Sequence, residues 1–110
     1  NLNTMVDEIL RANPAAEIVV QTTNPVVDMP DPANRHATNR PQLAEYLQGY
    51  RDVAHARGLI LADHYPNWQQ VLISGRDEFL ERVPDGIHPQ VAGYREVVLP
   101  ELKRVLMGKD

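Results

Sequence analysis

Residues 53–63 read Val53-Ala54-His55-Ala56-Arg57-Gly58-Leu59-Ile60-Leu61-Ala62-Asp63, and the change of character at Gly58 decides the fold class. Upstream of it, Leu43, Tyr46, Leu47, Tyr50, Val53 and Ala54 recur at helical spacing. That spacing predicts a helix over 42–57, with Pro41 suited to its first turn and Gly58 as its C-terminal stop. Downstream, Leu59 to Ala62 is an unbroken apolar run, read as a strand over 59–63 with Asp63 at its C-terminal end. A helix leading directly into a strand is the second half of a βαβ unit, which calls for an earlier parallel strand. Glu17 to Thr23 answers: Ile18, Val19 and Val20 are consecutive and β-branched, as in a strand covered on both faces, and Asn24-Pro25 closes it. The fold class is therefore α/β, with parallel strands over 17–23 and 59–63.

Outside this unit, Leu2, Met5, Val6, Ile9 and Leu10 predict a helix over 2–12, ended by Asn13-Pro14. Asn24 to Arg40 carries Pro25, Pro30 and Pro32 with no sustained period and reads as a long surface loop, in which Asp28 and Asp31 form turns. A short helix over 66–73 contains Trp68 and stops at Ser74-Gly75, and Asp77 to Arg82 can add another turn or two. Val91, Tyr94, Val98, Leu102 and Val105 keep helical spacing over 90–107. Pro100 lies inside that run, so the helix either kinks there or restarts with Pro100 in its first turn.

Composition narrows the function. At 110 residues the chain has room for one core, and 43% hydrophobic with 24% charged residues is a folded rather than a disordered balance. A net charge of −4 argues against the basic footprint that nucleic acid or an anionic membrane requires. Cysteine is absent, which removes disulfides, thiolate zinc sites and a cysteine nucleophile while leaving the compartment undecided. No apolar run approaches the ~18 residues of a membrane span. Because the chain opens at Asn1 on a helical pattern without a methionine, a natural N-terminal region, including any export signal, is expected to lie outside it.

The chemistry-bearing segment is Pro84-Asp85-Gly86-Ile87-His88-Pro89, with Gly93-Tyr94 beyond. An Asp three residues before a His, across a glycine that permits a sharp bend, can set its carboxylate against the imidazole Nδ1–H. Nε2 is then free to take a proton from a hydroxyl. The same spacing also fits a capping Asp beside a structural or surface His at a helix start.

Asp85-Gly86-Ile87-His88-Pro89 with Gly93-Tyr94 resembles the last conserved block of the SGNH hydrolases, also called the GDSL esterase/lipase family. The preceding order of helix, strand, long loop, helix and strand is similar to the C-terminal half of that family's flavodoxin-like three-layer α/β/α fold. The resemblance implies that Asp85 and His88 are the acid and base of a Ser–His–Asp triad hydrolysing a carboxylic ester through an acyl-enzyme, without a cofactor or metal. The family's Gly-Asp-Ser, oxyanion-glycine and Gly-x-Asn-Asp motifs lie N-terminal to the matched part and do not occur in this sequence. Residues 1–110 are thus expected to be one domain that is the C-terminal part of a larger hydrolase domain, inactive alone. Its expected partners are a small-molecule ester, with an acetylated carbohydrate or short acyl ester preferred over a long-chain lipid, and the missing half or another chain at an exposed strand edge.

Other nucleophiles are poorly placed. Ser74 is the one serine, and it follows a short helix instead of occupying a strand-to-helix elbow. Thr22 and Thr23 close a strand and read as structural. Two rival functions stay open: a non-catalytic interaction domain using the strand edge, and a metal-dependent hydrolase built on Asp63, His64, Asp85 and His88. Trp68 and Tyr65 can stack on a substrate or simply pack, while His36 and His55 read as solvated.

Overall fold

Each helix starts and stops where local chemistry allows. Asn1 accepts the Thr4 N–H through Oδ1 at 2.9 Å to open α1 (Leu2–Ala12), and Asn13, with φ −145°, leaves helical space ahead of Pro14. After α1 the chain enters β1 (Val19–Gln21), crosses the long loop, and forms α2 (Leu43–Arg57). Gly58 ends α2 in the left-handed region at φ 63°, and Leu59 N–H reaches back to the Ala54 carbonyl at 2.9 Å. β2 (Ile60–Ala62), α3 (Tyr65–Ser74) and α4 (Arg76–Arg82) follow. The final helical run is α5 (Val91–Gly93), a π-helical turn over Tyr94–Val98, and α6 (Leu99–Met107). This computed structural model describes residues 1–108.

β1 and β2 pair in parallel, with Val19 opposite Ile60, Val20 opposite Leu61 and Gln21 opposite Ala62. The crossover through α2 is the βαβ unit read from Gly58, and among the described residues the sheet has two strands. The chain is therefore a helix-rich α/β structure; a full three-layer arrangement is not displayed. Both strands are shorter than the expected spans of 17–23 and 59–63, and only Val20 and Ala62 are buried within them. Gln21 is exposed, so β1 is not covered on both faces as expected.

The core lies beside the sheet. Val27, Trp68, Phe79, Val83 and Val97 form the buried cluster, with Met29, Val71, Leu72, Leu80 and Val98 packed around it. Trp68 and Phe79 meet edge to face, centroids 6.0 Å apart at 79°. Of the two uses considered for Trp68, packing is the observed one: it is 1% exposed. Gly93 permits this, because a Cβ there would come within 2.7 Å of the Trp68 ring.

The apolar stripes of α1 and α2 are less buried than their spacing suggests. Val6, Leu47 and Ala54 are buried, whereas Met5, Ile9, Tyr46 and Tyr50 are exposed. The molecule is a slab of 46 × 31 × 19 Å whose radius of gyration, 15.4 Å, exceeds the ~13 Å of a compact domain of this length. At Pro100 the restart occurs, with the proline in the first turn of α6. Its missing N–H and the clash of its ring with the carbonyl four residues back are met by widening the preceding turn into the π form.

The long loop is ordered by its own polar groups. Asp31 caps the 3-10 turn Pro32–Asn34 by accepting the Ala33 N–H at 2.9 Å, and the Asp28 carboxylate accepts both the N–H and the hydroxyl of Thr38. Asp31 is thus a turn former, as read, whereas Asp28 ties the loop across ten residues instead of forming a local turn. His55 is exposed, and His36 is half-buried. Pro41 lies just ahead of α2 instead of in its first turn, since Gln42 is the cap and Leu43 the first helical residue. Among the described residues no helix is long and apolar enough to cross a membrane.

Candidate functional site

The turn after α4 is built around the Asp85 carboxylate. Its Oδ1 accepts the N–H of Ile87 at 2.9 Å and of His88 at 2.6 Å, and its Oδ2 meets the His88 Nδ1 at 2.7 Å. One oxygen stabilises the bend and the other holds the ring; Asp85 does not cap the helix that follows, which begins at Val91 with Gln90 as its cap. Burial pushes the Asp85 carboxyl up, but the N–H of His88, its ring and the N–H of Ile87 outweigh that and bring it down to about 2. An ionised carboxylate only accepts hydrogen bonds, so Nδ1 carries the ring proton and Nε2 presents its lone pair. The His88 side chain is 78% exposed, so nothing walls that lone pair off.

The bend needs Gly86. Its φ is 81°, which disfavours a side chain, and a Cβ would sit 2.8 Å from the Val27 carbonyl oxygen and 3.0 Å from the Met29 side chain. The Val27 N–H donates to the Gly86 carbonyl at 3.0 Å. The segment leaving β1 thereby lies directly against the turn. Asn24, 7% exposed, adds a second tie through Nδ2, which donates to the Ile87 carbonyl at 3.0 Å and to the Pro25 carbonyl at 2.8 Å.

At the end of β2, Asp63 is engaged elsewhere. Arg51 reaches it with Nε at 2.8 Å and Nη2 at 3.0 Å, and the Thr22 hydroxyl donates to it at 2.8 Å while accepting the Tyr65 N–H. Burial pushes the Asp63 carboxyl up, and Arg51 and Thr22 more than reverse this. His64 is 3% exposed, with Nε2 2.9 Å from Gln21 Oε1 and its buried Nδ1 without a hydrogen-bond partner. Burial lowers its pKa against the opposing charges of Glu101 and Asp63. Asp63 and His64 are thus committed to the strand ends, and the four residues of the metal alternative are not brought together. Among the described residues no three His, Cys, Asp or Glu side chains gather as a metal site.

A cavity of about 250 Å³ opens at the C-terminal ends of both strands, lined by Thr22, Thr23, Asn24, His64, Pro89 and Tyr94 among others. Open parallel sheets bind ligands at this end of their strands. Pro89, the residue after His88 in sequence, is part of the cavity's lining. The threonine hydroxyls in its lining are engaged, Thr22 donating to Asp63 and Thr23 to the Asn24 carbonyl at 3.3 Å, and Ser74, outside that lining, donates to the Gln70 carbonyl at 2.9 Å on α3.

Asn24 and the tie of Arg51 and Thr22 to Asp63 were not legible in the sequence, and His64, read there as a candidate metal ligand, is instead buried against Gln21. Asn24 read only as the end of a strand, and its partner Ile87 lies 63 residues away. The nearest signal was Asn24-Pro25 at the C-terminal end of a parallel strand, where polar residues serve a cleft.

Comparison with known proteins adds one finding. The family model of the GDSL-like lipase/acylhydrolase family matches residues 1–96. No curated protein and no solved structure matches the chain.

Proposed function

The chain belongs to the GDSL-like lipase/acylhydrolase family, a hydrolase relationship, and from that premise we propose that it supplies the acid–base half of a serine ester hydrolase. The observation that carries this reading is the Asp85–His88 pair, 2.7 Å apart with the far side of the ring open. Asp85 is the acid that orients the ring and stabilises the imidazolium; His88 is the general base and then the general acid. His88 Nε2 takes the proton of a serine hydroxyl as that oxygen bonds to the ester carbonyl carbon. The carbon–oxygen bond to the alcohol then breaks, and His88 returns the proton to the departing alkoxide. Water repeats the cycle on the acyl-enzyme, giving its proton to His88 and releasing the carboxylic acid.

Residues 1–110 form, in this reading, the C-terminal part of a larger flavodoxin-like three-layer domain. The slab shape, the two-stranded parallel sheet and the exposed Met5, Ile9, Tyr46 and Tyr50 support it, since parallel sheets are ordinarily long and covered on both faces. The remaining half provides the serine and the oxyanion donors, so the chain is inactive alone. The substrate is a small ester, an acetylated carbohydrate or another short acyl ester, in keeping with a cavity of about 250 Å³ whose lining includes Pro89, next in sequence to His88.

A fluorophosphonate probe applied to the larger protein containing this chain tests the reading. The expected result is one labelled serine outside residues 1–110, with labelling abolished in His88→Ala. Absence of any labelled serine, or labelling indifferent to His88, overturns it.

A further inference from the structure

We infer that Asn24 is a positioning residue for the Asp85–His88 pair, fixing the turn that carries both side chains to the C-terminal end of β1. The inference rests on the proposed acid–base role of that pair and extends it to a residue that touches neither partner's side chain in the hydrogen-bond network.

The pair itself stands largely in solvent, 78% exposed at His88 and 52% at Asp85, so packing of the two side chains cannot set its place. The backbone must do so. It is held at two consecutive carbonyls: Gly86 O takes the Val27 N–H at 3.0 Å, and Ile87 O takes Asn24 Nδ2 at 3.0 Å. Ile87 O is the last carbonyl before His88, so the second tie fixes the peptide plane from which His88 departs. Asn24 is suited to the task. It is 7% exposed, it precedes a proline that restricts its backbone to extended geometry, and its amide is anchored a second time on the Pro25 carbonyl. A buried amide with both donor hydrogens engaged has one orientation, whereas a surface amide has many.

The contact spans 63 positions in sequence and joins the same two segments that line the cavity, Thr22 to Asn24 on one side and Pro89 on the other. Register between nucleophile and base depends on that junction, because polypeptide pairing with β1 is aligned to the strand whose last residue, Gln21, lies three positions before Asn24. A misplacement of about 1 Å is enough to cost on the order of a hundredfold in rate.

The test uses the 110-residue chain and nuclear magnetic resonance, reading the Asp85 side-chain carboxyl carbon against pH. In the unaltered chain the midpoint is expected at about 2, held down by the His88 and Ile87 N–H groups and the His88 ring. Asn24→Leu keeps the branched side-chain skeleton and removes both donors; with the turn released, the midpoint is expected to rise by about one pH unit or more towards the ordinary carboxylate value. Thr22→Val, equally buried and on the same strand end, is the control and should leave Asp85 where it is. A midpoint unmoved in Asn24→Leu overturns the inference, and so does an equal shift in Thr22→Val, which would mean general loosening. Should Asn24→Leu fail to fold, the unaltered chain decides. Strong protection of the Asn24 side-chain amide protons from exchange supports the tie, and exchange at the rate of the exposed Gln48 amide overturns it. The fluorophosphonate experiment is independent: a shifted Asp85 with no labelled serine keeps the positioning role and removes the hydrolase reading, and the reverse outcome does the opposite.

Discussion

Oδ2 of Asp85 and Nδ1 of His88 lie 2.7 Å apart although neither side chain is buried, His88 being 78% and Asp85 52% exposed. Surface ion pairs of this exposure are ordinarily loose and worth little. Here the carboxylate is also held by two main-chain N–H groups, so the ring meets an acceptor that is already immobilised. The pair owes its geometry to the turn and not to its own attraction.

Gly86→Ala should therefore disturb the pair without touching it. The new Cβ meets the Val27 carbonyl at 2.8 Å on a residue with φ 81°, two penalties that together should cost about 1–3 kcal/mol. Urea unfolding of the variant measures the loss. An unchanged midpoint would mean that the turn tolerates a side chain and does not press against Val27.

Asp85 also makes stability depend on pH in a definite sense. Its carboxyl is depressed from 3.8 unfolded to about 2 folded, so the stability it contributes is complete above 3.8 and is lost as pH falls through about 2. Solvent around a half-exposed group trims the size of the effect. Thermal unfolding of wild type and Asp85→Asn between pH 5 and pH 2, on the order of the carboxylate range, should show curves that converge as the pH falls. Parallel curves would remove Asp85 from the list of depressed carboxyls.

His64 acts in a higher window. Its folded pKa is lowered from 6.5 chiefly by burial, so the unfolded chain binds the proton more tightly. Stability should be full above 6.5 and decline as pH drops below it towards the folded value. His64→Gln, which cannot titrate, should flatten that limb of the thermal unfolding profile. A wild-type profile flat across the limb would show that the ring is not desolvated as its 3% exposure requires.

Much of this architecture was legible along the sequence. α1, α2 and the parallel pairing followed from caps, periodicity and Gly58, because those signals are local. The Asp85–His88 contact was legible for the same reason, three residues being bridged by one turn. The exposure of Tyr46 and Tyr50 was not, since periodicity says which side of a helix is apolar and not whether anything covers it. The π turn at Tyr94–Val98 also escaped, because Pro100 announced a break without saying that a wider turn would accommodate it. Asn24 escaped entirely: a partner 63 positions away leaves no spacing to read.

The core makes the largest stability prediction. Phe79 is fully buried and meets Trp68 edge to face, so Phe79→Ala should cost about 3–5 kcal/mol, a large part of what a domain of this size possesses. Loss of the near-ultraviolet circular dichroism of Trp68 at room temperature would register it. A variant as stable as wild type would mean that the α3–α4 packing closes over the gap.

Ser74 provides the opposite kind of test. Its hydroxyl proton is given to the Gln70 carbonyl on an exposed helix end, so fluorophosphonate should leave the isolated 110-residue chain unmodified by intact mass. Ser74→Ala should change stability by less than about 0.5 kcal/mol. Stoichiometric modification at Ser74 would relocate the nucleophile into this chain.

Among the described residues β1 pairs along one of its two sides. Along the other, the main-chain groups of Val19–Gln21 are available to extend the ladder, and any strand laid there inherits a spacing of roughly 4.8 Å and a register set by the pleat. A neighbour that docks along this ruler has its side chains placed to within a residue relative to Thr22 and Asn24 before any substrate arrives. Assembly and alignment are then one event.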